Sequence, residues 1–267
     1  MMIEVIKEIH SPDALLEGAV AISLHNVSNV NASMIDEKLQ SYADKVRNRV
    51  RGDQPQALIA HLNDFLFDEE GFSGAVIDYY NPLYNLLPHV LETKRGSPIT
   101  LCLIYKIVAE RVGICCFGVN LPGHFLVGIR SSNDVMLIDP FNKGQLITEQ
   151  QAHERLKKIF GDEVEWSCEL LRPASTRMWL TRIIQNTLNT YGSKGAYREL
   201  VAMLELEMLL WPGETKLVRD IALVCARAGL AGPAEAYLGM YLEVNPDDPQ
   251  CYELKKLFGI LKKEGCK

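Results

Sequence analysis

The sequence contains no apolar run long enough to span a bilayer. Its longest early stretch, residues 14–24, is interrupted by Glu17 and falls short of the roughly 18 to 20 residues that a crossing helix needs. No helix is therefore expected to cross a membrane, and no membrane partner is expected. A surplus of positive charge is also missing. Lys and Arg total 28 against 34 Asp and Glu, a formal charge of −6, which repels a phosphate backbone and argues against nucleic acid as a partner. The densest basic stretch, Lys45, Arg47, Arg49 and Arg51, spaces its charges at every second residue. On a helix they split between faces, as on a solvated surface.

Metal and nucleotide signatures are absent too. There is no HExxH, CxxC, GxxxxGK[ST] or GxGxxG, and His10, His25, His61, His89 and His153 are scattered along the chain. Neither a metal nor a cofactor is expected. The seven cysteines are odd in number, include the adjacent Cys115 and Cys116, and sit mostly in apolar stretches, which suits buried reduced thiols. The opening MMIEVIKEIH carries Glu4, Lys7 and Glu8 where a signal peptide needs an unbroken apolar core. The expected location is the cytoplasm.

What is present is ordinary globular material. Apolar residues make up 48% and charged residues 23% of 267, which excludes collagen-like and disordered chains and allows one large domain or two of usual size. Over residues 11–66 apolar positions recur at helical intervals, as in Leu15, Leu16, Ala19, Ile22 and in Leu58, Ile59, Leu62, Phe65, Leu66. This spacing predicts three or four helices. Breaks fall at Ser11-Pro12-Asp13, where Ser11 can cap and Pro12 fits the first helical position, and around Gly52 to Pro55.

The aromatic, Gly- and Asn-Pro-containing stretch GFSGAVIDYYNPLYNLL predicts an ordered loop, and ordered loops often carry function. Beyond it, Ser97 and Pro98 open a helix whose apolar residues Leu101, Leu103, Ile104, Ile107 and Val108 cover more than one stripe, so it should be buried on most sides. Strands are predicted over 115–121, 124–130 and 135–138, with 131–134 as the turn between the last two. The order is helices, loop, central helix, short antiparallel sheet, an α+β pattern.

Periodicity lapses near Pro173, and only helical character follows. The expected division is a core domain over 1–173 and a helical domain over 174–267. In the latter, Trp211-Pro212 and Asn245-Pro246 stand 34 residues apart, the period of tetratricopeptide repeats. Ala222, Gly229 and Ala234 fall where such a repeat needs a small residue, a turn glycine and a second small residue. The preceding unit keeps Tyr191 in an aromatic slot but has Leu188 and Leu200 at small-residue positions. Two units and a final helix are too few to bury a core alone, so they are expected to lean on the first domain.

The residues that carry chemistry cluster in NLPGHFLVGIRSSNDVMLIDPFN. A symmetric hairpin around 131–134 pairs residues whose numbers sum to 265, placing Leu126 opposite Asp139 and His124 diagonal to it. The two side chains then share a face and can meet. An Asp that holds one imidazole nitrogen leaves the other free to act as a base. A third member is expected at the start of the central helix, where dipole and free N–H groups activate a nucleophile. In the preceding loop, Tyr79, Tyr80, Asn81 and Asn85 are candidate binding residues beside His124, with loop packing as their alternative role.

The helix ending Gly113-Ile114, the strand after it, His124 and the Asp139-Pro140 pair resemble the transglutaminase-like branch of the papain-type thiol enzymes. GFSGAVIDYYNPLYNLLPHVLETKRGSPITLCLIYKIVAERVGI, GVNLPGHFLVGI and LIDPFNKG more closely resemble the bacterial SirB-type family, which joins such a core to C-terminal tetratricopeptide repeats. The resemblance implies a cysteine in the first helical turn of active enzymes. Here that turn reads Ser97, Pro98, Ile99, Thr100, in keeping with the Pro-Ile-Thr or Pro-Ile-Ser of the SirB-type family. The family's usual Gly-Asn and Asp-Pro are Gly74-Ala75 and Asn81-Pro82 in this chain.

Cys102 is the nearest thiol, but it lies two residues past Thr100, roughly 200° further around the helix. The expected function is a protein-interaction or regulatory scaffold lacking the helix-start nucleophile and binding a protein or peptide partner. The alternative is an acyl-transfer or amide-hydrolysing enzyme in which His124 and Asp139 serve Thr100 or Cys102. The oligomeric state is left open by the sequence.

Overall fold

The structure is a computed structural model that describes all residues except 12, 28, 29, 53, 79, 131–134, 248, 250 and 265–267, with backbone only for 251 and 262–264. Its elements run α1 (Met2–Lys7), α2 (Ala14–Leu24), α3 (Ala32–Arg47), α4 (Pro55–Asn63) continuing as a π-helical stretch (Asp64–Glu69), β1 (Ser73–Gly74), a 3-10 turn (Pro82–Asn85), α5 (Leu87–Thr93) and β2 (Arg95–Gly96). Then come α6 (Pro98–Arg111), β3 (Cys116–Val119), β4 (Leu126–Arg130), β5 (Val135–Asp139), a 3-10 turn (Pro140–Asn142), β6 (Gln145–Ile147) and α7 (Glu149–Phe160). A short 3-10 turn (Cys168–Leu171), α8 (Thr176–Lys194), α9 (Tyr197–Leu210), α10 (Thr215–Arg227), α11 (Ala231–Val244) and α12 (Cys251–Glu264) complete the chain. Residues Ile9–Ile183 form one compact unit, and Met1–Glu8 with Ile184–Lys267 form the other. No helix among the described residues is long and apolar enough to cross a membrane.

In the unit of residues 9–183, α6 is the central element. Pro98 occupies its first turn, where a missing N–H costs nothing, and almost every residue from Pro98 to Ala109 is buried. The predicted many-sided burial is thus observed. Ser97 takes the cap position, but its hydroxyl caps no backbone N–H and instead pairs with Thr100 Oγ1 at 3.2 Å. Ser11 makes the expected capping bond, its Oγ accepting from Ala14 N at 3.2 Å, although α2 itself starts behind Asp13 and Pro12 lies outside the described residues.

Around α6 lie two sheets. β1 and β2 form a two-residue parallel pair, Ser73 with Arg95 and Gly74 with Gly96. The larger sheet is an antiparallel meander in the order β3-β4-β5-β6. Val127 pairs with Ile138 and Arg130 with Val135, the register expected from the sequence, although residues 131–134 that connect the strands lie outside the described residues. Three strands were not evident in the sequence. β1 and β2 are too short to show alternation, and β6 follows a turn containing Lys143 and Gly144 at positive φ. His124 stands two residues before β4, where its N–H bonds Leu121 O at 3.2 Å.

The sheet buries Val119, Leu121, Leu126, Leu137 and Ile147 against Ala152 and Leu156 of α7. On β3, Gly118 lies against the indole of Trp179, so that a Cβ at 118 would fall inside the ring. Phe125 closes on the same indole, with ring centroids 4.3 Å apart.

In the other unit, α9, α10, α11 and α12 each pack on the next in sequence, and α1 packs on α9. The backbone recurs at an interval of 34 residues. Gly195 and Gly229 have φ of 66° and 72°; Ala196 and Leu230 have ψ of 71° and 69°. Trp211 and Asn245 end their helices at φ −128° and −126°. Ala222 and Ala234 are buried on α10 and α11.

Candidate functional site

Asp139 ends β5 and caps the 3-10 turn that follows, its Oδ1 accepting from Asn142 N at 3.2 Å. Its other oxygen, Oδ2, accepts from Asn142 Nδ2 at 2.7 Å and from Arg155 Nη1 of α7. His124 Nε2 also stands 3.0 Å from Oδ2. That contact lies off the axis of the ring N–H, so Nε2 is buried without an aligned hydrogen bond. The interaction is an ion pair when the ring is protonated, not a directed hydrogen bond. Burial acts to raise the Asp139 carboxyl, but the facing His124 and the Asn142 and Arg155 donors outweigh it and hold it at about 2. The carboxylate is fully buried, whereas the imidazole is 16% exposed.

The ring of Phe141 stands edge-on to His124, 6.0 Å between centroids at 89°. It occupies the space over Gly74 of β1, where a Cβ would come within 2.6 Å of it. Position 74 therefore admits no side chain while the ring holds this place.

The helix-start candidates are enclosed. Thr100 is fully buried, with its hydroxyl against Ser97. Cys102 is fully buried and donates its thiol hydrogen to Phe125 O at 3.3 Å. Burial first, then the nearby Asp139 charge, pushes this thiol well above its ordinary range, the opposite of an activated nucleophile. Of the loop candidates, Tyr80 is exposed. Asn81 builds its own turn, with Oδ1 accepting from Leu83 N and Nδ2 donating to Asp78 Oδ2, both at 3.1 Å. Asn85 is buried with Oδ1 unpartnered, and Tyr79 lies outside the described residues. Among the described residues no cluster of His, Cys, Asp and Glu is arranged to hold a metal.

Sequence reasoning missed Arg155 and Asn142. Arg155 follows Ala152 by three residues and precedes Leu156, so the apolar spacing of α7 already turns it toward the core. Asn142 lies three residues after Asp139 across a proline, a capping interval. α7 itself is fixed by a reciprocal box, Gln151 N to Thr148 Oγ1 at 3.2 Å and Thr148 N to Gln151 Oε1 at 3.0 Å. Thr148→Ala is expected to cost about 1 kcal/mol, seen in urea denaturation; an unchanged midpoint would mean that α7 is held by its packing alone.

A family model described as the transglutaminase-like superfamily matches residues 33–185, more than half of the chain. A UPF0162 protein of Xylella fastidiosa (strain 9a5c) is 30% identical over 236 residues, covering 87% of this chain and 84% of its own. The chain belongs to the transglutaminase-like superfamily and to the UPF0162 family. A UPF0162 protein of Pseudomonas aeruginosa is 24% identical over 250 residues, 92% of this chain and 84% of its own. F-box only protein 21 of Mus musculus is 28% identical over 215 residues, which are 76% of this chain but 31% of that protein. No solved structure matches the chain.

Proposed function

We propose that the protein is a scaffold that binds a protein or peptide partner in the cytoplasm and does not work as a thiol enzyme. In this reading it is a SirB-type member, with a core over 1–173 and tetratricopeptide-like repeats over 174–267. The enclosed state of Cys102 carries the proposal. A thiol that is fully buried, bonded to Phe125 O and raised by burial offers no thiolate for attack. The 34-residue recurrence of backbone geometry at Gly195 and Gly229 supports the repeats, whose stacking presents extended binding faces.

The 3.0 Å approach of His124 to Asp139 favours a second reading, acyl transfer or amide hydrolysis. There His124 would be the base, Asp139 its orienting partner, and Thr100 or Cys102 the nucleophile. The purified full-length chain is expected to show neither amine incorporation into peptide amides nor amide hydrolysis. Activity lost in both His124→Ala and Cys102→Ser would overturn the scaffold reading and assign the thiol. Activity lost in His124→Ala alone would assign Thr100.

A further inference from the structure

A groove of about 350 Å³ opens beside β1, lined by Gly74, Ala75, Val76, Ile77, Tyr84 and Arg95. Its size suits one or two residues of a ligand. The β1–β2 pairing persists through Ala75, whose N–H bonds Gly96 O at 3.0 Å, and then the chain turns outward. Val76 and Ile77 stand at the rim 77% and 88% exposed. Together they give the rim a small apolar surface that an apolar side chain of a ligand can cover.

Arg95 is the only charged residue of the lining. Its Nη1 donates to the Ser73 hydroxyl, and among the described residues no carboxylate lies within ion-pair range of it. Arg95 is exposed, so its guanidinium is open to a ligand. In a chain of net charge −6, a guanidinium without an acid beside an apolar rim complements an anion with an apolar body.

We propose that this groove binds the C-terminal residue of a peptide, its free carboxylate on Arg95 and its apolar side chain against Val76 and Ile77. At a C-terminus the charge and the side chain share one Cα, so both fit a groove of this size. An internal Asp or Glu would bring backbone in from two directions. The inference rests on the partner-binding reading and names the partner's chemistry. Gly74 of the lining abuts Phe141, and Phe141 abuts His124, so the groove lies one ring away from the His124–Asp139 pair.

Calorimetric titration of the full-length chain tests this with three probes: acetyl-Ala-Ala-Leu as the free acid, the same peptide as its C-terminal amide, and acetyl-Ala-Asp-Ala amide. The free acid is expected to bind saturably, and amidation to weaken it about tenfold, the loss of one charge-assisted contact. Arg95→Gln should bring the acid down to the level of the amide while leaving amide binding unchanged. Ile77→Ser should weaken acid and amide alike. Absence of binding, equal binding of acid and amide, or tighter binding of the internal Asp peptide would overturn the proposal. The comparison of acid with amide uses the unmodified chain, so it stands even if Arg95→Gln fails to fold. None of these outcomes reports turnover, so a negative titration leaves the scaffold reading to be judged by its own assay.

Discussion

Asp139→Ala is expected to lower the stability of the protein by about 3 kcal/mol at neutral pH. The buried carboxylate is the common acceptor for Asn142 and Arg155 and the ionic partner of His124. Its removal leaves those donors facing an apolar void. The cost falls at the lower end for a broken buried pair because Arg155 is partly exposed and can rehydrate. Asp139→Asn separates charge from shape. The folded-state carboxyl lies at about 2 against an ordinary 3.8, a depressed value, so its contribution is complete above the unfolded pKa and disappears as pH falls through the folded one. The difference corresponds to about 2 kcal/mol. The wild type should lose that amount between about pH 4 and pH 2, and Asp139→Asn should show a flatter profile across the same interval. Urea denaturation at stepped pH measures it, and an acid limb unchanged by Asp139→Asn would show that the carboxylate charge contributes nothing to the fold.

Trp179→Ala should cost about 4 kcal/mol. The indole is almost fully buried between Gly118 and Phe125, and neither neighbour can fill the space it would leave. Gly118 has no side chain, and Phe125 is held directly before β4, next to His124. The cavity would therefore persist. Loosening Phe125 also loosens the carbonyl that holds Cys102 Sγ, so the mutation should speed the reaction of Cys102 with a thiol reagent under native conditions. Gly118→Ala presses on the same contact from the other side and should destabilise by about 1 to 3 kcal/mol. Unfolding midpoints and thiol labelling rates provide the check. A wild-type labelling rate in a destabilised Trp179→Ala protein would uncouple the indole from the candidate site.

Much of the architecture is legible in the sequence because it rests on periodicity. The spacing of Leu58, Ile59 and Leu62 marks α4, the many-sided apolar surface of residues 98–109 marks the central helix, and the expected pairing of residues whose numbers sum to 265 matches the β4–β5 register, with His124 beside Asp139. The family match supports the transglutaminase-like core. Elements too short to repeat a pattern escaped, namely β1, β2 and β6. Those three strands include the wall of the groove and the lead into α7. The environment of the acid was only half visible. A pairing register predicts a partner across a hairpin, but Arg155 arrives from a later helix, and only the tertiary fold brings it to Oδ2. Likewise Ser97 has the composition of a cap, yet its hydroxyl turns to Thr100, a choice made by burial and not by local preference.

The recurrence of φ and ψ between 195–196 and 229–230 carries an implication for how this molecule can grow. Where the chain returns to one backbone state after a fixed count of residues, a duplicate of the intervening segment, 196–229, can be spliced in at that joint with its flanks already in the required conformation. Each copy would add one more pair of helices like α9 and α10, since α9 packs on α10, α10 on α11 and α11 on α12. Length at this end of the chain is thus open to change in whole steps, whereas at Gly74 even a methyl group would have to displace the ring of Phe141.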